Sequence, residues 1–243
     1  MHILAVDAGN SRIKWGLWDG SWSRQDSVAT AEVAALGAAW RALPPLRFLA
    51  VCSVAAAPVV EWLDAWARSH GVAVRRVSSQ REQCGVRNGY CDPGQLGADR
   101  WAALIAARHI TQGAALTVNA GTAVTIDALT HEGEFLGGLI MPGLDLMADS
   151  LAGGTAGLPR AHGAVAQFPR NTADAIASGA VQSVCGAVER MERALAKCSA
   201  VPRILLSGGA AQMIHAHLGR PARLVPNLVL EGLRIIAADE GGG

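Results

Sequence analysis

The chain has 243 residues, of which 51% are hydrophobic and 17% charged, with a formal net charge of +1 at pH 7. This composition excludes an intrinsically disordered chain, and the near-neutral charge argues against a nucleic-acid-binding protein that relies on a basic face. No apolar run reaches the length of a membrane span, and Asp7 interrupts any secretory signal pattern. The five cysteines form no C-x-x-C pair, which favours reduced thiols. We therefore expect a cytoplasmic protein without nucleic-acid or membrane partners.

The first half of the chain alternates between strand-like apolar runs and helix-like periodic segments. The pattern predicts strands at about 2–7, 13–18, 22–29, 46–52 and 72–77, and helices at 30–42, 57–70 and 97–111. Between the last strand and the last helix, residues 78–96 are rich in turn formers and are predicted to be a loop.

The second half repeats this order. It predicts strands at 115–119, 123–129, 134–140, 203–207 and 222–225, and helices at 143–152, 172–198, 210–218 and 227–239. The run 153–168, rich in Gly and Ala, is predicted to be a loop. The helix from 172 has the clearest periodicity, and Asn171 with Asp174 forms the expected capping pair. Its length makes it a candidate dimer helix; packing on its own sheet is the alternative.

A short polar segment separates the first two predicted strands. Asp7 offers an oxygen ligand for Mg²⁺, and Gly9 lets the backbone approach an anion without a Cβ in the way. The following amides, with the Asn10 and Ser11 side chains, can donate to phosphate oxygens. An ordinary hairpin turn explains the same residues.

A similar segment recurs 112 positions later, since Asn119 follows Asp7 by 119 minus 7. Asn119-Ala120-Gly121-Thr122-Ala123 also lies between two apolar runs. Two such turns, each near the start of a half-chain, predict a duplicated α/β fold with a ligand between the halves.

At this point the chain resembles the type III pantothenate kinases, members of the superfamily of acetate and sugar kinases, heat-shock chaperones and actin. The resemblance covers almost the whole chain and depends on five segments. They are Asp7-Ala8-Gly9-Asn10-Ser11-x-x-Lys14, Asn88-x-Tyr90-x-x-Pro93-x-x-Leu96-Gly97-Ala98-Asp99-Arg100, Gly121-Thr122-Ala123-x-Thr125-x-Asp127, Gly137-Gly138-x-Ile140-x-Pro142-Gly143 and Ser207-Gly208-Gly209-Ala210.

This resemblance implies an α/β fold of two ribonuclease-H-like halves around an ATP cleft, usually assembled as a homodimer. Residues 1–112 would contain the first phosphate loop and the substrate motif. Residues 113–243 would contain the second phosphate loop, the adenosine loop and the dimer helix. The implied activity is ATP-dependent phosphorylation of the primary hydroxyl of pantothenate to 4′-phosphopantothenate, the first step toward coenzyme A.

The resemblance also assigns ATP and Mg²⁺ to the two phosphate loops. In the first loop, the residues that would contact ATP are Asp7, Ala8, Gly9, Asn10, Ser11, Arg12, Ile13 and Lys14. Asp7 would hold Mg²⁺, and Lys14 would add a positive charge unless it is an exposed strand lysine. In the second half, Gly121 and Thr122 would hold the phosphates. Gly208 and Gly209 would lie against the nucleotide, with a plain strand-to-helix turn as the alternative.

The resemblance implies that Asp99 is the general base, which accepts or orients the proton of the attacking hydroxyl. The alternative is helix-start electrostatics, because an acid in the first turn of a helix is commonplace.

The other predicted substrate contacts surround Asp99. Arg100 has a fork suited to the carboxylate of pantothenate, and the helix N-terminus at Gly97 and Ala98 favours the same anion. Tyr90 would donate a hydrogen bond to the substrate; a half-buried loop tyrosine is its alternative. Thr172 matches a threonine that contacts the substrate across the dimer interface, or it caps the long helix.

One position departs from the family pattern. The second phosphate motif usually begins with Asp, whose carboxylate helps to bind a monovalent cation, K⁺ or NH₄⁺. Here Asn119 offers one amide oxygen and no charge, so we expect weaker K⁺ dependence. Asp127 can act as an outer acid, although its place at the end of a strand before a hairpin explains it more simply.

The sequence is also compatible with two other functions. Some proteins of this family are named as accessory factors of a transcription regulator, which would act by contact without catalysis. A kinase for another small alcohol, such as a sugar, is the second alternative. Asp7, Asp99 and Arg100 argue against an inactive protein, and the segment from Tyr90 to Arg100 argues against a sugar acceptor.

Overall fold

The computed structural model describes residues 2–155, 157–158 and 163–239. Part of the predicted loop at 153–168 lies outside these residues. The strands are β1 (His2–Ala8), β2 (Arg12–Trp18), β3 (Trp22–Ala29), β4 (Leu46–Ser53), β5 (Ala73–Arg76), β6 (Glu82–Gln83), β7 (Val86–Asn88), β8 (Ala115–Ala120), β9 (Ala123–Leu129), β10 (Glu134–Pro142), β11 (Arg203–Ser207) and β12 (Ala222–Leu224). The α-helices are α1 (Leu36–Ala39), α2 (Ala57–Ser69), α3 (Ala98–Thr111), α4 (Leu144–Gly154), α5 (Thr172–Cys198), α6 (Ala211–His217) and α7 (Leu228–Asp239).

The chain divides into two compact units. Unit 1 contains the described residues up to Ile110 and those from Asn227 onward, and unit 2 contains Thr111–Pro226. Helix α7, which the sequence placed with the second half, therefore groups with unit 1 and packs on β1 and β4. The compact units are defined by contacts, whereas the division into two halves at residue 112 concerns sequence repeats and stays a prediction.

A five-stranded sheet with the order β3-β2-β1-β4-β5 forms the centre of unit 1. β1 and β2 are antiparallel, as are β2 and β3, whereas β4 is parallel to both β1 and β5. One core of this unit contains Leu4, Val6, Leu49 and Leu63 together with the tryptophan Trp40. This burial makes the central strands rigid supports for the loops at their ends.

The segment predicted as one helix at 30–42 differs in the structure. It forms a 3₁₀ turn at Thr30–Ala35 and the short α1, with non-helical backbone angles at Glu32. The backbone N–H of Thr30 donates to the Ser11 carbonyl (3.0 Å) and its hydroxyl donates to the Gly9 carbonyl (2.8 Å). These bonds tie the start of the segment to the first loop, so the helical pattern is overridden there by tertiary contacts.

The predicted loop at 78–96 also contains regular structure. β6 and β7 form an antiparallel hairpin, and a 3₁₀ turn spans Pro93–Gln95. Cys84 and Gly85 at the hairpin turn have φ values of 49° and 75°. Trp101 of α3 donates its indole N–H to Gln83 (3.0 Å), which attaches the hairpin to the helix at the end of the substrate motif.

In unit 2 the five strands β8–β12 lie in the order β10-β9-β8-β11-β12. β8, β9 and β10 are antiparallel neighbours, and β11 is parallel to both β8 and β12. In order of appearance the strands of each unit are therefore arranged 3-2-1-4-5, with the same directions. This repeated topology agrees with the duplicated α/β fold predicted from the sequence.

The long helix α5 covers 27 residues and packs its apolar side on the sheet of unit 2. Val181, Val184 and Val188 are buried there against strand residues that include Leu116 and Ile126. The predicted cap is confirmed, because the Asn171 side chain accepts the backbone N–H of Asp174 at 2.9 Å. None of the described helices is long and apolar enough to span a bilayer.

Candidate active site

The first loop lies at the end of β1 and turns tightly into β2. The Gly9 N–H donates to the Arg12 carbonyl at 3.1 Å, and a Cβ on Gly9 would lie only 3.0 Å from that oxygen. A side chain at this position would therefore crowd the turn. Asn10 and Ser11 are exposed at the tip. The predicted phosphate loop is thus a two-strand turn with its polar tip open to solvent.

Not every residue of this segment presents its side chain to a ligand. Ala8 and Ile13 are fully buried, so their side chains are not available to a ligand. The Arg12 guanidinium binds Ser27 of β3, with Nη2 2.6 Å from the hydroxyl oxygen. Lys14 is half-buried and lies opposite Asp7 across the hairpin.

Asp7 is the buried acid of this loop, with 9% of its surface exposed. Burial raises the pKa of Asp7 from its ordinary value of 3.8 to about 6; the Lys14 charge opposes this rise, and the Asp99 charge adds to it. The Cys52 thiol donates a hydrogen bond to Asp7 Oδ1 at 3.5 Å. Burying a charged carboxylate without a full ionic partner is energetically unfavourable. Such a carboxylate therefore favours binding of a cation at its free oxygen.

The substrate motif leads into α3. Asn88 is buried and braces this loop: its Oδ1 accepts the Tyr90 N–H (3.0 Å), and its Nδ2 donates to the Pro93 carbonyl (3.3 Å). Arg100 is 5% exposed and donates from Nη1 to the Tyr90 hydroxyl at 3.2 Å. Tyr90 and Arg100 therefore meet, and their contact with the substrate stays a prediction.

Asp99 lies in the first turn of α3 and is half-buried. Its Oδ1 accepts the backbone N–H of Arg100 at 2.9 Å, so the carboxylate folds back along the start of the helix. A Cβ on Gly97 would lie 2.6 Å from the same Oδ1. Glycine at 97 thus leaves the space that the Asp99 carboxylate occupies. The neighbouring Ala98 begins the helix.

In unit 2 the structure brings the second phosphate loop and the Gly208–Gly209 turn together. Gly208 has φ of 99°, and a Cβ there would lie 2.4 Å from the Ala120 carbonyl oxygen. The Ala210 N–H donates to that same carbonyl at 3.1 Å. A glycine is therefore required where the turn after β11 crosses the end of β8.

The exposed residues Gly121 and Thr122 form the tip of the second loop. The Gly143 N–H donates to the Thr122 carbonyl at 2.8 Å, and a Cβ on Gly143 would overlap the Gly121 carbonyl oxygen at 2.3 Å. Asn119 is half-buried in β8, where it pairs with Ser207 of β11. Its amide is thus near the base of both loops of unit 2.

Thr172 stands apart from these loops. It is the first residue of α5 and is exposed, while Asn171 provides the cap. In the described part of the chain its side chain makes no hydrogen bond with either loop of unit 2. Because Asn171 is the cap, the capping alternative for Thr172 is excluded. Its substrate contact stays a prediction.

Two supporting residues were not predicted as part of the site. Cys52 contacts Asp7 from β4, 45 residues further along the chain. Gly143 belongs to a predicted family segment, and the structure shows that it supports the Gly121–Thr122 tip from beneath. The glycine pattern was a usable signal for Gly143. For Cys52 the signal would have been the register of a parallel strand pair, which local sequence does not define.

Comparison with known proteins decides the family. A family model described as type III pantothenate kinase matches residues 3–194. A type III pantothenate kinase from Aromatoleum aromaticum is 49% identical over 98% of this chain and 98% of its own length. One from Dechloromonas aromatica is 46% identical over 97% of this chain and 98% of its own length.

The chain belongs to the type III pantothenate kinase family. The resemblance stated from the five sequence segments is therefore confirmed. The site predictions for this family member refer to three parts of the chain: the loop at Asp7, the segment from Tyr90 to Arg100 and the loop at Gly121.

Solved structures of low sequence identity confirm the fold class of this family member. A candidate Baf family transcriptional activator from Campylobacter jejuni aligns with a TM-score of 0.61 and 18% identity, covering 99% of this chain and 100% of that one. MreB5 of Spiroplasma citri bound to ADP aligns with a TM-score of 0.55 and 10% identity, covering 100% and 99%. These neighbours place the chain in the actin and sugar-kinase type of fold.

Proposed function

We propose that the protein is a pantothenate kinase that transfers the γ-phosphate of ATP to the primary hydroxyl of pantothenate. The products are ADP and 4′-phosphopantothenate, and the reaction is the first step of coenzyme A biosynthesis. The family membership supports this activity, since relatives that are 41–49% identical over nearly the whole chain are named type III pantothenate kinases. The observation that carries it is the arrangement of Asp99, Arg100 and Tyr90 at the start of α3.

In this proposal the attacking group is the primary hydroxyl of pantothenate. Its oxygen forms a bond to the γ-phosphorus, the bond from that phosphorus to the β,γ-bridging oxygen breaks, and the proton passes to or is oriented by Asp99. The carboxylate folds back along the first turn of α3, which fixes its direction. Phosphoryl transfer depends mainly on such positioning and on charge neutralisation.

Arg100 and Tyr90 would orient the acceptor. Arg100 is buried, and a buried guanidinium that faces a carboxylate makes a strong, directional interaction. The Tyr90 hydroxyl, which accepts from Arg100, can donate its own proton to the substrate. Thr172 is exposed at the start of α5 and would supply a further contact from the partner subunit of a homodimer.

The chemistry of Asp7 fits Mg²⁺. The described residues contain no cluster of three or more His, Cys, Asp or Glu side chains that could hold a metal alone. Mg²⁺ usually retains waters and binds through one or two carboxylates together with substrate phosphates, which a single buried carboxylate satisfies. Bound there, Mg²⁺ would neutralise charge on the phosphates. Lys14, opposite Asp7, would add a second positive charge.

The nucleotide contacts that we propose come from the two loops and the glycine turn. The exposed loop tips, Asn10 and Ser11 in one loop and Gly121 and Thr122 in the other, would contact phosphate oxygens. The Gly9 and Gly121 N–H groups donate to the Arg12 and Ala123 carbonyls and hold these tips in shape. The exposed, side-chain-free Gly209 would lie against the nucleotide. Asn119 would bind a monovalent cation, K⁺ or NH₄⁺, only weakly, because its amide lacks the charge of a carboxylate. A cytoplasmic location completes the proposal.

An acceptor panel tests this function. ADP formation would be followed in a coupled assay with Mg²⁺ and ATP, with no acceptor, with pantothenate and with a set of sugars. We expect ADP to form only with pantothenate and the product to have the mass of 4′-phosphopantothenate. Turnover with a sugar instead would favour a kinase for another alcohol. The absence of both turnover and pantothenate binding would favour the non-catalytic accessory role.

A further inference from the structure

Cys52 lies beside Asp7 in the centre of the unit 1 sheet. β1 and β4 are parallel, and their register pairs Asp7 with Cys52, while the antiparallel register of β1 and β2 pairs Asp7 with Lys14. Paired residues of neighbouring strands have their side chains on the same face of a sheet. The Asp7 carboxylate is therefore the middle member of a row of three side chains, with an amine on one side and a thiol on the other.

The thiol makes a defined contact within this row. Cys52 Sγ lies 3.5 Å from Asp7 Oδ1 and donates its hydrogen to that oxygen. Cys52 is 1% exposed, so solvent does not compete for the contact. In the described part of the chain no protein hydrogen bond reaches Oδ2 of Asp7. The thiol thus engages one carboxylate oxygen and leaves the other available.

Cys52 acts here as a neutral donor. In the contact with Asp7 the sulfur is the donor and the carboxylate oxygen is the acceptor, so Cys52 carries its hydrogen there. Because a thiol is a weak donor, it can fix the rotation of the carboxylate while withdrawing little of its negative charge.

We propose that Cys52 is a positioning residue that orients Asp7 so that Oδ2 faces the divalent cation. This inference rests on the proposed function, in which Asp7 holds Mg²⁺. Cys52 itself touches neither metal nor substrate. Its effect is on the affinity for the cation and not on the chemical step, which distinguishes it from a residue that only fills space in the core.

The test uses Mn²⁺ as a probe for Mg²⁺. Electron paramagnetic resonance measures how tightly Mn²⁺ binds to the protein in the presence of a non-hydrolysable ATP analogue. Cys52→Ala removes the donor and Cys52→Ser keeps one. The matched control is Cys185→Ala, because Cys185 is also a buried cysteine, and its thiol contacts the Ile214 carbonyl in unit 2 at 3.9 Å.

We expect Cys52→Ala to weaken Mn²⁺ binding about threefold to tenfold, the range of one modest hydrogen bond. The apparent Mg²⁺ activation constant should rise by a similar factor while kcat at saturating Mg²⁺ changes by less than about twofold. Cys52→Ser should restore both constants, and Cys185→Ala should leave both unchanged.

The inference is overturned if Mn²⁺ binding by Cys52→Ala equals that of the wild type, or if Cys185→Ala weakens it equally. If the alanine variant does not fold, Cys52→Val fills the volume without a donor and is held to the same criteria. The Asp7→Asn variant distinguishes the proposed role of Asp7 from that of Cys52. Unchanged Mn²⁺ binding in Asp7→Asn would refute the role of Asp7 as the cation ligand. If Asp7→Asn loses Mn²⁺ binding but Cys52→Ala does not, only the role of Cys52 is refuted.

Discussion

At the scale of single residues, the site depends on two carboxylates in different surroundings. Asp7 is buried at a strand end with a raised pKa, whereas Asp99 is half-buried in the first turn of α3. A buried carboxylate is a cost to the ligand-free protein that a bound cation relieves. The Asp99 carboxylate is oriented by the backbone N–H of Arg100 that it accepts, and the absence of a side chain at Gly97 leaves room for that orientation. The two acids therefore respond differently to substitution.

The Asp7 charge should destabilise the ligand-free protein above about pH 6. The pKa is about 6 in the folded protein and 3.8 ordinarily, so the folded state binds more protons between these values and stability falls as the pH rises through them. We expect Asp7→Asn to raise the free energy of unfolding by about 1–3 kcal/mol at pH 8 and to have little effect near pH 4. Thermal melts across this range, without nucleotide or divalent metal, measure the difference. A difference that does not vary with pH would contradict the argument.

Gly97→Ala should displace the Asp99 carboxylate. The added Cβ would lie 2.6 Å from Oδ1, and the flexible carboxylate can rotate away, so the fold is retained while the base is misdirected. We expect kcat to fall about tenfold to a hundredfold, with a smaller change in the KM for pantothenate. Gly37→Ala in α1 is the control, since its Cβ would meet Trp62 at an ordinary 3.7 Å. Equal kinetics for the two variants would contradict the proposed geometry.

Asn119 should make the protein weakly dependent on K⁺. Asn119→Asp introduces a carboxylate into β8, and we expect it to lower the K⁺ concentration needed for half-maximal activation, because a charged oxygen binds a cation more tightly. Titration of activity with KCl, with choline chloride to hold the ionic strength, measures both proteins. Sharp activation of the wild type at low K⁺ would show that the amide suffices.

At the scale of elements, the most predictable features are those with local causes. The 27-residue α5 follows from its apolar period, and its start follows from the Asn171–Asp174 pair. The 3₁₀ turn at 30–35 was not predictable, because it depends on hydrogen bonds from Thr30 to residues about 20 positions earlier. Local propensity predicted the helix there, and a distant contact overrode it.

The start of α5 offers a test that separates capping from substrate binding. Asn171→Ala should lower the free energy of unfolding by about 1 kcal/mol, because the Asp174 N–H loses its partner. Thr172→Ala should change stability by less than about 0.5 kcal/mol, since its side chain is exposed. Under the proposed function only Thr172→Ala raises the KM for pantothenate. Denaturant unfolding and steady-state kinetics on both variants check this, and the reverse pattern would contradict it.

At the scale of the whole molecule, the same strand order and directions occur in both units. The sequence predicted this duplication from the loops at Asp7 and Asn119, since each follows a buried strand. It could not predict which unit would contain α7, because packing on β1 and β4 depends on contacts more than 170 residues apart. It also missed Cys52, whose contact with Asp7 depends on the β1–β4 register.

The measurement that tests the central claim most directly compares the wild type with Asp99→Asn in pantothenate-dependent ADP formation, with pantothenate binding measured by calorimetry on the same samples. We predict that turnover falls by at least about a hundredfold while the dissociation constant for pantothenate changes by no more than a few-fold, because Arg100 and Tyr90 remain in place. Turnover within a few-fold of the wild type would contradict the assignment of Asp99 as the base.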